Sequence, residues 1–130
     1  MNTNNHTSKL RLWISYILQG MIIIMLLMGA FNNLLMTEMA VTGAKEMGYP
    51  ETSVHYLGII LFASTVLYVI PKTAFVGAIL LTGWLGGAVA THIIHGDPLS
   101  NMFFPVLFGM VVWTCLLLRR KKMCEVFLNR

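Results

Sequence analysis

Four stretches of the chain contain no charged residue, at 12–31, 52–71, 73–96 and 98–118. Each has the length a helix needs to cross a bilayer, about 20 predominantly apolar residues. The runs are continuously apolar, without the alternation of a barrel strand, and lipid offers no partner to an unpaired backbone N–H or C=O. The pattern therefore predicts an all-α membrane protein, a four-transmembrane-helix bundle with helices at about 12–31, 53–70, 73–95 and 102–118.

Between the first two runs, Asn32 to Glu51 mixes polar residues with Leu34, Leu35, Met36 and Met39, then reaches Gly43, Gly48, Tyr49 and Pro50. That composition predicts a short external interfacial helix and a turn, laid across the mouth of the bundle. Pro71-Lys72 leaves room only for a tight turn, so the second and third helices form an antiparallel hairpin. Pro105 falls in the first turns of the fourth helix, where proline is tolerated. Residues 1–8, MNTNNHTS, read as a fraying start with no site in it.

Within the first helix, Trp13 and Tyr16 are interfacial anchors and Gln19 is expected to face another helix. Met21, Met25 and Met28 recur at helical spacing, which suits apolar packing or lipid contact better than soft-metal ligation. The third helix is rich in small residues: Gly77, Gly83, Gly86, Gly87, Ala88 and Ala90. Gly83 and Gly87 form G-x-x-x-G, and Thr91 continues the stripe, a pattern that brings helix backbones together in membranes. Two uses follow: a central helix packed through Gly83, Gly86 and Gly87, or the interface of a homo-oligomer.

The 130 residues amount to one small domain, and the four runs leave little polar sequence for a second. Lys9, Arg11, Lys72 and the cluster Arg119, Arg120, Lys121, Lys122 with Arg130 flank the runs on one side, and Lys45 alone lies on the other. Positive residues in short loops stay cytoplasmic, so both termini are expected inside. The net charge of +4 then reflects a basic cytoplasmic tail at 119–130 that meets anionic lipid headgroups of the bilayer, and no nucleic-acid partner is implied. The first run is too long for a signal-peptide core and lacks a small-residue cleavage site. Cys115 and Cys124 suggest free thiols.

This topology brings three histidines to the external face: His55 at the start of the second helix, and His92 and His95 at the end of the third. His92 and His95 are i, i+3 neighbours on one surface. Thr91 lies beside them, and Glu38, Glu46, Glu51 and Asp97 could supply carboxylates. One reading is an outward-facing polar pocket of His55, Thr91, His92 and His95 that exchanges protons, above a site for a lipophilic molecule. The other is a set of solvated side chains at the headgroup boundary. No spacing matches a metal motif, so no metal is assigned, and paired-histidine haem ligation has no positional support. No Ser-His-Asp arrangement, phosphate loop or CxxC is present.

The stretch YLGIILFASTVLYVIPKTAFVGAILLTGWLGGAVATHIIHGDP, residues 56–98, resembles the DoxX-like family, most specifically in GAILLTGWLGGAVATH at 77–92. Leu57-Gly58, Ile70-Pro71-Lys72 and Leu118-Arg119 fit the same pattern. The resemblance implies a four-helix membrane fold and, in a bacterium, the cytoplasmic membrane. It also implies, by analogy, a link to quinone-dependent or other membrane redox assemblies. Leu61 stands where relatives carry an acid, and Ile93-Ile94 where they carry a base. With catalytic motifs missing, the expected role is an accessory subunit or lipophilic-ligand-binding protein of redox or stress metabolism, with a possible redox protein partner. The alternatives are a quinone-handling oxidoreductase component and a purely structural or assembly protein.

Overall fold

The computed structural model describes residues 3–119, and side chains from Lys9 onward. Its elements are α1 (Thr3–Leu34), α2 (Glu38–Glu46), α3 (Glu51–Val69), α4 (Ala74–His95) and α5 (Leu99–Arg119). Four of them, all but α2, are long and apolar enough to span a bilayer, and no strand occurs among the described residues. The predicted architecture is therefore correct, including the short helix between the first two spans. Two boundaries move. α1 starts at Thr3 rather than near residue 12, because a helix nucleated by a long apolar segment propagates cheaply into flanking polar residues. α5 begins at Leu99, directly after Pro98. Most of the basic tail, and Cys124, lie outside the described residues.

The four long helices form a ring. α1 packs on α3 and α5, α4 packs on the same two, and the diagonal pairs do not approach through their backbones. The third span is thus one side of a square and not its centre. Ile22, Leu26, Ala30, Leu61, Tyr68, Ala78, Leu81, Val112 and Leu116 fill the middle. Tyr68 reaches across the diagonal and donates from its hydroxyl to the Val112 carbonyl at 2.9 Å. Gln19 is buried, as expected, whereas Met21, Met25 and Met28 are exposed on the outside of α1. Many large apolar side chains face outward, Ile94 at 86% and Ile24 at 68% exposure among them, an arrangement suited to a bilayer.

The glycines that permit close helix approach are not the ones the G-x-x-x-G spacing marks. A Cβ on Gly77 would collide with the Leu67 and Tyr68 backbone across the α3–α4 hairpin, and one on Gly58 would collide with Asn33 and Leu34 of α1. A Cβ on Gly83, Gly86 or Gly87 meets nothing within 4 Å. Those three are exposed in this chain, so the contact expected of them inside the bundle is made by Gly77, about two to three turns earlier on α4.

At the end holding Lys9, Lys72 and Arg119, Arg119 Nε donates to Ser15 Oγ at 3.0 Å and its guanidinium lies 4.0 Å from the Tyr16 ring centroid. Ser15 in turn donates to the Cys115 carbonyl at 3.0 Å, which closes the ring between α1 and α5. Cys115 is buried with a free thiol.

Candidate functional site: a cleft beneath α2

At the opposite end the helices part and α2 covers the gap. Thr37 caps α2, accepting from the Ala40 N–H at 3.3 Å, and Glu38 and Lys45 in its first and last turns complement the helix dipole. Left-handed residues flank it, Met36 at φ 48° and Gly48 at φ 85°, so the chain turns sharply into and out of this helix. No residue of α2 is buried. Tyr49 binds Thr91 of α4 at 2.5 Å, and Lys45 pairs with Glu51 of α3 at 2.6 Å, which ties the cover to two walls.

Beneath α2 lies a cleft of about 670 Å³, within the range of small-molecule sites. Its walls are mostly small or apolar: Gly29 of α1, Ala40, Gly43 and Ala44 of α2, Leu57 and Ile60 of α3, and Gly83, Gly87 and Ala88 of α4. Gly83 and Gly87 make room here, since nothing fills the space a side chain would take. Trp84 stands in the wall with its indole N–H donated to the Leu57 carbonyl at 3.3 Å. Polar groups enter from Asn32, Asn33, Tyr49, Thr91 and His92.

His92 is held from below the loop. Gly96 takes the left-handed conformation at φ 81°, and Asp97 N–H bonds back to the His92 carbonyl at 3.0 Å while Gly96 N–H bonds to Ile93 at 3.2 Å. This glycine-terminated cap reverses the chain within a residue. It delivers the Asp97 carboxylate to His92 Nδ1 at 2.6 Å. The hydrogen bond from His92 holds the Asp97 carboxyl below the usual carboxylate range, with His95 adding a smaller attraction at 3.8 Å. The carboxylate is then ionised at neutral pH and can only accept, so His92 Nδ1 carries the proton.

The three histidines do not meet in the cleft. His92 and Thr91 line it, His95 stays outside the lining with Nε2 3.8 Å from Asp97, and exposed His55 bonds the Leu34 carbonyl at 3.1 Å, securing the end of α1. Among the described residues no group of three His, Cys, Asp or Glu side chains could hold a metal ion. Of the carboxylates considered from the sequence, Asp97 alone joins the histidines, while Glu51 is taken by Lys45. Tyr49, Trp84, Asn32 and Asn33 were not legible as site residues; the clue was the polar pair Asn32-Asn33 directly after an apolar span.

The class of protein is defined by these features: a small multi-pass membrane bundle with an apolar cleft, polar at one edge, under a peripheral helix. Within that class the chain belongs to the DoxX-like family, whose model matches residues 17–115, well into the first span. No curated protein and no solved structure gives a match.

Proposed function

We propose that the protein binds a lipophilic small molecule in the cleft beneath α2, as a ligand-binding or accessory component of a membrane redox or stress system. The observation that carries this reading is the cleft itself, about 670 Å³ walled by glycine, alanine and aliphatic side chains with polar groups gathered at one edge. Such a shape buries the body of a hydrophobic ligand and orients its head. Family membership adds a quinone as one candidate occupant, and a bacterial cytoplasmic membrane as the setting.

The test is native mass spectrometry of the protein extracted into nanodiscs, scanning for a retained quinone, lipid or other lipophile, and compared with Gly87→Leu. Gly87 lines the cleft, and a Cβ added there meets nothing within 4 Å, so the position offers room for a side chain that competes with a ligand. The expected result is a stoichiometric ligand in the parent protein that is lost in Gly87→Leu while the helical spectrum is unchanged. A bare parent chain, or a ligand retained equally by the variant, overturns the reading. If Gly87→Leu instead dissociates a dimer, the stripe of Gly83, Gly86 and Gly87 serves association and the assembly reading replaces this one.

A further inference from the structure

The hydrogen-bonding inventory of the cleft has a definite sign. Thr91 spends its single hydroxyl proton on the Gly87 carbonyl at 2.9 Å. In the Tyr49–Thr91 pair either hydroxyl could be the donor, and with the Thr91 proton on Gly87 it is Tyr49 that donates, leaving its oxygen with lone pairs to offer. The Trp84 N–H is already committed to Leu57. His92 carries its proton on Nδ1 for Asp97, so in the neutral ring Nε2 is a bare acceptor. Among the described residues nothing bonds Nε2, and no fully buried side-chain nitrogen or oxygen lacks a partner, so this nitrogen has access to solvent or ligand. Asn32 and Asn33 can serve either sign and decide nothing.

Apart from the two asparagine amides, the groups at the polar edge therefore present acceptors, and Nε2 of His92 is the one held in that role by an ionised partner. A carbonyl or ether head placed against Nε2 of His92 faces a lone pair, whereas a hydroxyl head supplies the missing proton. Resting on the ligand-binding reading above, we infer that the cleft selects lipophiles bearing a hydroxyl group, an alcohol or a phenol, whose O–H donates to Nε2 of His92. The apolar body lies along Gly29, Ala44, Gly83 and Gly87. Asp97 acts as a positioning residue, because it fixes which nitrogen of His92 is free.

The experiment measures competitive binding in nanodiscs at mildly alkaline pH for two matched pairs: a long-chain alkylphenol with its methyl ether, and a fatty alcohol with its methyl ether. Each ether removes the donor and adds one methyl group, whose effect on binding the His92→Phe variant shares. The parent protein is expected to favour the hydroxyl member by about three- to tenfold, the worth of one neutral hydrogen bond. His92→Phe keeps the bulk without the acceptor and is expected to bring that ratio to about one while ether binding persists. Preference confined to the phenol pair identifies an aromatic head, and preference confined to the alcohol pair an aliphatic one; either supports the inference. Equal binding of hydroxyl and ether in the parent, or a ratio unmoved by His92→Phe, overturns the donor selection and leaves the ligand-binding reading standing. Binding of no probe overturns both, and the parent-protein comparison stands by itself if His92→Phe fails to fold.

Discussion

Two glycines on one helix, nine residues apart, are expected to respond to the same added methyl with opposite signs. At Gly77 the new carbon runs into backbone atoms of Leu67 and Tyr68, which cannot swing aside as a side-chain tip would. Overpacking of this kind costs about 1–3 kcal/mol, and the α3–α4 hairpin must open to absorb it. The reduced flexibility of the unfolded chain returns about 0.5–1 kcal/mol, so Gly77→Ala should be destabilising by up to about 2.5 kcal/mol net, with the middle of the two ranges giving about 1 kcal/mol. Gly86→Ala collects the same return with nothing within 4 Å to strike, and should leave stability unchanged or raised by up to about 1 kcal/mol. Reversible unfolding of both variants in mixed micelles by increasing sodium dodecyl sulfate, followed by circular dichroism, reads the difference directly. Equal destabilisation by the two changes would refute the assignment of Gly77 as the packing glycine. It would instead place Gly86 in a contact between chains, because within one chain there is nothing for its new methyl group to touch.

Two further outcomes follow from the polar groups. Tyr68→Phe removes the hydroxyl that spans the diagonal to Val112, and a loss of about 0.5–1.5 kcal/mol in the same unfolding assay is expected, with no loss counting against the cross-brace. Because the Asp97 carboxyl is depressed by His92, its pairing stabilises the fold at pH values above the ordinary carboxylate value of about 3.9 and that contribution fades as pH falls through the lowered value. Carbon-detected NMR of the Asp97 carboxyl should show the lowered midpoint, and His92→Phe should raise it toward the ordinary value, with His95 and Asn101 keeping part of the shift; an unshifted midpoint in the parent protein would disprove the pairing.

The spans were legible because a bilayer imposes both length and polarity, so charge-free runs of sufficient length map directly onto α1, α3, α4 and α5. The hairpin at Pro71-Lys72 and the short α2 were legible for similar local reasons. What sequence spacing could not supply was direction around each helix axis. Gly83 and Gly87 satisfy the association motif and Gly77 satisfies nothing recognisable, yet of these three only Gly77 abuts another backbone. The three histidines shared a depth in the membrane, but depth is one coordinate of three. His55 is drawn to the open carbonyl at the end of α1, and only His92 reaches the cleft. The His92–Asp97 pair depends on the left-handed turn at Gly96, which a reader of spacing alone has no means to weigh against an ordinary loop.

Because α2 buries no residue of its own, the bundle owes it little folding free energy. Met39, Ala40, Gly43, Ala44 and Met47 nevertheless face the cleft, between capped and sharply turned ends that preserve the placement of the helix. Substitutions on that face can accumulate without first threatening the survival of the protein. On the ligand-binding reading proposed above, α2 is the element through which the occupant of the cleft can be changed at least cost to the membrane-spanning frame.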